Sequence, residues 1–357
     1  MIQRSGTMKS NLLLYIILQP LSLMYGALIY LRNLLFDNNL LKIYQFNLPI
    51  VSIGNITAGG TGKTPFTCYM VELLKKLGYK PGIVSRGYGR QSKGVVIVHN
   101  GISLCSNVSE SGDEPYMMGK VLRDTPIIVS DQRYHGIEKM VKKFDVNIVV
   151  LDDAFQHRKV NRDMDIVLMN SQEPKSHYRL LPLGRLRESL SNLRRADIII
   201  HTKHNDETQP HMMATMQKYS SAPQLVSKNQ YKILQYKNNV YESVTIPEMN
   251  AAVAFCGIAH PESFTNILDA LGVEISDLHS FNDHQEYNAK ILERLQTSLA
   301  MSKSKSIITT EKDLVKLPDS FIKNLDVYIL RISMELSPKS RENLIQQLSI
   351  IKTRKTS

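Results

Sequence analysis

A glycine-rich segment of this chain has the residue types that bind a chain of phosphates. It reads Gly54-Asn-Ile-Thr-Ala-Gly-Gly-Thr-Gly-Lys-Thr-Pro65, and it lies between the apolar run Leu48 to Ile53 and a helical pattern. In a strand–loop–helix of this kind, backbone N–H groups and the positive end of the helix hold phosphate oxygens. Lys63 would reach the β- and γ-phosphates, and the Thr64 hydroxyl would ligate Mg²⁺. The sequence therefore predicts a nucleoside triphosphate site.

The loop departs from the usual G-x-x-x-x-G-K-[ST] pattern at its first position, where Thr57 replaces glycine. A surface loop with a chance lysine is the alternative, but three glycines between a strand and a helix favour nucleotide binding. The nucleotide-binding residues are predicted to be Thr57, Ala58, Gly59, Gly60, Thr61, Gly62, Lys63 and Thr64.

Two adjacent carboxylates, Asp152 and Asp153, follow the apolar run Ile148 to Leu151. At a phosphate loop, a carboxylate in this place meets Mg²⁺ directly or through a water molecule. We expect these two residues to be the metal partners of Thr64. The alternative is a polar strand end that caps the next turn.

Further polar side chains follow the carboxylates and form a second cluster downstream. Gln156 and Arg158 lie within the same segment, and Arg185 and Glu188 lie in the segment PLGRLRE. Guanidinium groups suit phosphate oxygens. An ordinary exposed loop explains the second cluster about equally well.

Two residues could take part in proton transfer. Asp113, in the segment SGDEP, would accept a proton from an attacking hydroxyl or would simply begin a helix, and the residues alone favour the helix start. His284, in the turn FNDHQEY, is the one group in that turn that titrates near neutral pH. A single histidine in a loop more often has no catalytic role.

Short apolar runs alternate with helical patterns through most of the chain. This alternation predicts an α/β fold, with a mostly parallel sheet covered by helices on both faces and the ligand at the carboxyl ends of the strands. The predicted strands after the first are Pro81–Ser85, Pro126–Ser130, Asn147–Leu151, Asp165–Met169, Asp197–His201, Ala251–Cys256, Leu278–Phe281, Ser306–Thr310 and Val327–Ile332.

A polar stretch with two strand-like pieces interrupts this alternation and predicts a hairpin around Lys237-Asn238-Asn239. We therefore predict a nucleotide-binding domain at residues 36–220, a hairpin linker at 221–250 and a smaller α/β domain at 251–357. Asp113 and His284 fall in different predicted domains.

The amino-acid composition indicates which classes of binding partner suit this chain. The chain has 357 residues and a net charge of +11, which favours anionic partners such as phosphates and acidic lipids. The basic residues are spread along the chain without an RNA-type aromatic signature, so nucleic acid is disfavoured. The three cysteines have no metal or disulfide spacing, which is typical of a reducing compartment. No obligate protein partner is evident.

The first 35 residues contain a membrane signal. No charged residue occurs from Asn11 to Leu31, a length close to the roughly 20 residues that span a bilayer. Gln19, Pro20 and Ser22 lie at the middle of this stretch, where hydrocarbon would disfavour them. We expect an uncleaved helix lying in the membrane interface, and a buried core helix is the alternative.

Seven segments, in order, resemble the tetraacyldisaccharide 4'-kinase family of the Gram-negative lipid A pathway. They are GNITAGGTGKTP, SRGYGR, SGDEP, LDDAFQHR, PLGRLRE, FNDHQEY and TTEKD. Together with the N-terminal apolar segment, they extend the resemblance over nearly the whole chain. The resemblance implies a kinase that uses MgATP at the cytoplasmic face of the inner membrane. It would phosphorylate the 4'-hydroxyl of an anionic glycolipid, tetraacyldisaccharide 1-phosphate.

The resemblance also implies roles for individual residues. Lys63 and Thr64 would serve the phosphates and Mg²⁺, and Asp113 would be the base, assisted by His284. The four residues Gln156, Arg158, Arg185 and Glu188 would make supporting contacts. Gln285 stands where the family often has a second histidine.

A membrane-bound GTP-hydrolysing switch is the second hypothesis. Thr202-Lys-His-Asn205 resembles the guanine-reading pattern N/T-K-x-D, but Asn205 stands where the aspartate belongs and the carboxylate is displaced to Asp206. Preference for ATP would count against this hypothesis.

Overall fold

A computed structural model describes residues 3–203, 210–238, 240–246, 251–283 and 285–356. The strands are β1 (Ile50–Asn55), β2 (Pro81–Ser85), β3 (Val95–Asn100), β4 (Pro126–Ser130), β5 (Ile148–Asp152), β6 (Met164–Asn170), β7 (Ile198–Thr202), β8 (Gln224–Lys237), β9 (Val240–Ser243), β10 (Ala252–Cys256), β11 (Ile275–Ser280), β12 (Ser306–Thr310) and β13 (Asp326–Leu336). The α-helices are α1 (Gln3–Asp37), α2 (Lys63–Lys76), α3 (Val108–Ser111), α4 (Asp113–Val121), α5 (Arg133–Lys143), α6 (Pro210–Gln217), α7 (Pro261–Ala270), α8 (Ala289–Ser302), α9 (Glu311–Leu314), α10 (Asp319–Ile322) and α11 (Pro338–Thr356).

The chain forms two compact units, and neither is a continuous segment. The first unit comprises Met1–Arg86, Thr125–Asn229 and Met334–Ser357, and the second comprises Gly87–Asp124 and Gln230–Ser333. The strands β8 and β13 each contribute residues to both units.

These bounds differ from the domains expected from the sequence. Gly87–Asp124 belongs to the second unit, where its helix α4 packs against α9. Met334–Ser357 belongs to the first unit, where the Ser340 hydroxyl accepts a hydrogen bond from the Val226 N–H at 3.2 Å. The grouping follows contacts between residues that are distant in the sequence, which a linear reading of composition does not reveal.

The first unit contains a parallel sheet with the strand order β4-β2-β5-β1-β6-β7, and the first residues of β8 pair parallel with β7. The strand β1 is buried along its whole length, as expected for an apolar strand inside a parallel sheet. Ile53 pairs with Asp152 of β5, which brings the end of β5 beside the start of the glycine-rich loop. The predicted α/β fold with a mostly parallel sheet is confirmed.

The second unit is also α/β. Its strands β11, β10, β12 and β13 pair parallel in that order. The predicted hairpin is present, because β8 pairs antiparallel with β9 and Lys237 faces Val240. The strand β3 also belongs to this unit, and the sequence analysis did not predict it.

The helix α1 presents two different sides beyond residue 14. Its polar side contacts the first unit: the Ser22 hydroxyl donates to the Leu180 carbonyl at 2.9 Å, and the Tyr25 hydroxyl donates to the Arg187 carbonyl at 2.7 Å. Many of its apolar side chains are exposed, including Ile16, Ile17, Leu21, Leu23, Met24, Leu28, Leu31 and Leu34. Within the described ranges, no helix combines the length and apolar character that crossing a membrane requires.

Candidate active site

The glycine-rich loop connects β1 to α2 and reaches the helix through two glycines with positive φ. Gly59 has φ 115° and Gly62 has φ 81°, values that suit glycine and strain other residues. Gly62 is also the residue that precedes the helix, and a Cβ there would collide with the Met334 Cε atom. Glycine carries no side chain that could cap the helix, so no side chain of Gly62 blocks the start of α2, the part of a helix that attracts phosphate oxygens.

Backbone hydrogen bonds from the segment PLGRLRE hold the first part of the loop. The Ala58 N–H donates to the Arg185 carbonyl at 2.6 Å, and the Arg187 N–H donates to the Ile56 carbonyl at 2.8 Å. Thr57, at the position where the usual pattern has glycine, forms the bridge to Leu186 between these bonds. The segment PLGRLRE therefore acts as a backbone support for the loop.

The far side of the loop is fixed by side chains. The Asn55 amide donates to the Thr61 hydroxyl at 3.0 Å, and the Thr202 hydroxyl donates to the Thr61 carbonyl at 2.9 Å. A loop held in this way is preorganised for its ligand.

Asp153 lies between cations. Its Oδ1 atom is 2.9 Å from Arg187 Nη1 and 3.7 Å from Lys63 Nζ. Burial would raise the pKa of Asp153, but the charges of Lys63, Arg187 and Arg133 outweigh it and hold this pKa below its ordinary value. The carboxylate is therefore ionised, and positive charge surrounds it.

Asp152 is almost fully buried and has both oxygens in hydrogen bonds. The Thr67 hydroxyl donates to Oδ1 at 3.1 Å and the Ser85 hydroxyl donates to Oδ2 at 2.9 Å. These two bonds orient the carboxylate.

Three of the predicted supporting residues contact α1 or the loop's base. Gln156 donates to the Asn55 carbonyl at 2.8 Å and to Glu188 at 2.9 Å. Glu188 is fully buried and pairs with Arg195 at 2.8 Å. Arg158 pairs with Asp37, at the end of α1, at 2.7 Å.

Arg185 is the predicted supporting residue that reaches the loop itself. A Cβ built on Gly59 would lie 3.4 Å from Arg185 Nη1, and the same nitrogen is 3.5 Å from a Glu173 oxygen. Glu173 lines a cavity of about 410 Å³ together with Tyr178 and Met216. The guanidinium therefore lies beside both the loop and this cavity.

In the second unit, Asp113 is the first residue of α4 and follows Gly112, which has φ 86°. Its Oδ2 atom is 3.5 Å from Lys316 Nζ, and the same ammonium is 3.1 Å from Asp313 Oδ1. Asp313 is fully buried and accepts hydrogen bonds from the Gly257 N–H at 2.9 Å and the Thr310 hydroxyl at 2.7 Å. Asp113 thus belongs to a cluster that also contains the segment TTEKD.

The turn FNDHQEY meets the same cluster. Lys316 Nζ donates to the Gln285 carbonyl at 3.3 Å, and Lys312 pairs with Asp283 at 2.7 Å. His284 lies outside the described residues, between these two neighbours. Asp113 and this turn belong to one unit, although the sequence analysis placed them in different domains.

Comparisons with known proteins identify the family of this chain. The family model described as Tetraacyldisaccharide-1-P 4'-kinase matches residues 14–349. The chain belongs to this family. The Tetraacyldisaccharide 4'-kinase of Pelodictyon phaeoclathratiforme is 39% identical over 310 residues, covering 85% of this chain and 87% of that protein. The protein of the same name from Desulfotalea psychrophila is 34% identical over 342 residues, covering 95% and 98%.

A solved structure is also similar. It is the "apo" form of LpxK from Aquifex aeolicus in complex with ATP, with a TM-score of 0.78 and 32% identity. The match covers 95% of this chain and 99% of that one. The family predicted from the seven segments is therefore confirmed.

The residues around the loop fit the Mg²⁺ that a kinase of this family implies. The donor set is one hydroxyl, on Thr64, and the carboxylates of Asp152 and Asp153. Mg²⁺ is typically bound by one or two carboxylates together with substrate phosphates and water. Among the described residues, no group of three or more His, Cys, Asp and Glu side chains is arranged for a metal.

Lys316, which contacts Asp113, was missing from the predicted site. Arg187, which contacts Asp153, belongs to the segment PLGRLRE, whose guanidinium groups were expected to suit phosphate oxygens. Lys316 stands three residues after Asp313, a spacing that places both side chains on one side of a helical turn, and this signal was present in the sequence. For the alternative GTP switch, His204, Asn205 and Asp206 lie outside the described residues.

Proposed function

We propose that this chain transfers the γ-phosphate of ATP to the 4'-hydroxyl of tetraacyldisaccharide 1-phosphate in lipid A biosynthesis. The preorganised phosphate loop, in a chain that belongs to the tetraacyldisaccharide-1-P 4'-kinase family, is the observation that carries this proposal. The nucleotide-binding loop belongs to the first unit, and Asp113 belongs to the second.

In the first unit, the loop N–H groups and the start of α2 hold the phosphates. Lys63 and Arg187, which contact Asp153 at 3.7 and 2.9 Å, neutralise charge on the transferred group. Arg185, beside Gly59, adds a further contact, and the cavity next to it receives part of the nucleoside. Thr64, Asp152 and Asp153 would hold Mg²⁺, which would supply charge neutralisation at the phosphates.

In the second unit, Asp113 accepts the proton of the 4'-hydroxyl. The hydroxyl oxygen bonds to the γ-phosphorus, the bond from that phosphorus to the bridging oxygen breaks, and ADP leaves with the electron pair. We assign His284 to assist Asp113, in agreement with its place in the turn whose neighbour Gln285 contacts Lys316. Most of the rate enhancement comes from positioning and charge neutralisation.

The test is transfer of labelled γ-phosphate from ATP to purified tetraacyldisaccharide 1-phosphate, with GTP as the competing donor. We expect transfer from ATP. Nucleotide binding without transfer to this lipid would overturn the proposed acceptor, and selective GTP binding would support the switch.

We further propose that the exposed apolar side of α1 lies in the interface of the cytoplasmic leaflet of the inner membrane. The opposite side of the helix is hydrogen-bonded to the first unit through Ser22, Tyr25 and Asn33, so the apolar side chains are left outside that contact. An interfacial helix of this kind binds by burying apolar side chains among lipid head groups.

Co-sedimentation with phosphatidylglycerol-containing vesicles tests this placement. Leu23→Glu combined with Leu28→Glu should release the protein from the vesicles, while Ile102→Glu, at an exposed apolar residue of the second unit, should not. Equal retention of all three proteins would contradict the proposal.

A further inference from the structure

One ammonium group joins three segments of the second unit that are far apart in the sequence. Lys316 Nζ lies 3.5 Å from Asp113 Oδ2, 3.1 Å from Asp313 Oδ1 and 3.3 Å from the Gln285 carbonyl oxygen. An ammonium has three N–H donors, and these three acceptors match that number. The Lys316 side chain is only 7% exposed, so water contributes little to its hydrogen bonding.

The anchor of this lysine is Asp313. Besides Lys316, this carboxylate accepts hydrogen bonds from the Gly257 N–H and from the Thr310 hydroxyl, and it is fully buried. The backbone around Gly257 has no spare room, because a Cβ there would lie 3.0 Å from Asp313 Oδ1 and 3.1 Å from the Asn282 carbonyl. Asp313 is therefore fixed, and it fixes Lys316 in turn.

The contact with Asp113 is different in kind. Asp113 stands at the open start of α4 and is partly exposed, at 17% of its side chain. Its distance to Lys316, 3.5 Å, is longer than an ordinary charged hydrogen bond. Lys316 can therefore orient the carboxylate without a short hydrogen bond to it.

We propose that Lys316 is a positioning residue for the phosphoryl transfer. Held by Asp313, it orients the Asp113 carboxylate and ties it to the turn that contains residue 284 through the Gln285 carbonyl. This inference rests on the proposed function, because it assigns to Asp113 the role of base.

The Lys316 ammonium also keeps two carboxylates together. Asp113 and Asp313 share this one ammonium. Without it, two like charges would remain close together in a mostly buried place, and the repulsion between them would displace the Asp113 carboxylate from its oriented position.

The experiment measures kcat and KM for both substrates in the wild type, Lys316→Met and Lys316→Arg. Lys323→Met, at an exposed lysine of the same unit, is the matched control. We expect Lys316→Met to lower kcat by about 10- to 100-fold, in the range that misplacement of a reacting group produces. The KM for ATP should not change, because the nucleotide site belongs to the other unit, and Lys323→Met should match the wild type.

Restoring the ammonium chemically distinguishes a positioning role of Lys316 from a role in folding. Lys316→Cys, aminoethylated with 2-bromoethylamine to restore the ammonium, should regain at least tenfold in kcat over the untreated variant. The exposed Cys105 is replaced by serine in this series, and protein with Lys316 intact is treated in parallel.

The outcomes distinguish the two proposals. If the wild type transfers no phosphate to the lipid, the proposed function fails. If the wild type is active and Lys316→Met keeps its kcat, the positioning role is overturned. It is also overturned if Lys316→Met unfolds while Lys316→Arg, whose planar fork cannot reproduce the three contacts, folds and keeps the wild-type kcat.

Discussion

Each unit has a charged cluster at the start of a helix. One cluster consists of a carboxylate between two cations, and the other consists of a cation between two carboxylates. In the first unit, Asp153 lies between Lys63 and Arg187. In the second unit, Lys316 lies between Asp113 and Asp313. Both Lys63 and Asp113 are the first residue of their helix.

The helix starts themselves are built alike. Gly62, with φ 81°, precedes α2, and Gly112, with φ 86°, precedes α4. A Cβ on Gly112 would lie 2.8 Å from the Tyr88 carbonyl oxygen, so glycine is required there for space as well as for conformation. A glycine with positive φ therefore precedes a helix whose first residue is a cation, Lys63, in one unit and an anion, Asp113, in the other.

The two clusters suit the two tasks of a phosphoryl transfer, which are binding the phosphates and removing a proton from the acceptor. An excess of cations suits the binding of a polyphosphate, and the carboxylate between them suits the binding of a metal ion. An excess of carboxylates suits the removal of a hydroxyl proton. Substitutions that remove one charge from each cluster should therefore have different consequences for binding and for chemistry.

The largest effect is expected for Asp113→Asn. Removing the base should lower kcat by about 10²- to 10⁴-fold, the usual contribution of general base catalysis. Equilibrium binding of ATP, measured by calorimetry, should remain unchanged. Asp319→Asn, at an exposed residue of the same unit, is the control. Full activity in Asp113→Asn would show that the cluster in the second unit does not contain the base.

Lys63→Met should act on the other cluster. We expect kcat to fall by about 10²- to 10³-fold, as for the loss of one preorganised donor, and ATP binding to weaken at the same time. Lys76→Met, at the exposed end of α2, should behave as the wild type. Loss of transfer with undiminished ATP binding would contradict the assignment of Lys63 to the phosphates.

Glu188→Gln tests whether Glu188 stabilises the fold or takes part in catalysis. Glu188 is buried and pairs with Arg195, so the variant leaves a buried guanidinium without its counter-charge. We expect the free energy of unfolding to fall by about 3 kcal/mol, while kcat at low temperature stays within about threefold of the wild type. Urea denaturation and initial rates measure the two quantities.

The control for this variant is Glu72→Gln, which removes an exposed pair with Lys75 on α2. Exposed pairs of this kind contribute less than about 1 kcal/mol. A large loss of kcat in Glu188→Gln without loss of stability would instead give Glu188 a role in contact with the substrate.

His157 is a buried histidine whose pKa is lowered in the folded protein. Burial, and then the charges of Arg133 and Arg162, lower the pKa of His157 from 6.5 to about 3. Between these values the unfolded chain binds a proton that the folded chain does not, so stability falls as the pH falls. From pH 6.5 to 5.0 this histidine should account for a loss of up to about 2 kcal/mol.

Urea unfolding at both pH values measures this loss, and His157→Gln should show a correspondingly smaller one. An equal pH dependence in both proteins would show that folding does not lower the pKa of His157.

The first cluster could be read from the sequence largely because it is local. Gly59 to Thr64 are consecutive, and their conformation follows from the glycines and from the strand and helix on either side. Asp152 and Asp153 end an apolar run, and the parallel pairing of β1 with β5 brings them to the loop. Parallel strands place their carboxyl ends together, so this proximity was predictable.

The second cluster could not be read in the same way. Asp113 and Lys316 are 203 residues apart, and they meet because α4 packs against α9. The residues of each segment alone favour ordinary structural roles, and a resemblance was needed to single out Asp113. Lys316 was missed because its importance depends on contacts that only the folded second unit creates.

The supporting residues illustrate the same limit. Arg158 and Glu188 carry charges that suit phosphates, but the structure places Arg158 against Asp37 and Glu188 against Arg195. Sequence shows which charges a segment carries. It does not show which of them are already neutralised by another part of the chain.

The division of the chain has a consequence for its synthesis. Met334–Ser357 belongs to the first unit, whose other residues are made before or between the two segments of the second. The ribosome therefore synthesises all residues of the second unit before it synthesises Met334–Ser357 of the first unit. A chain that stops at Ser333 loses α11 and the end of β13, so premature termination damages the unit that was begun first.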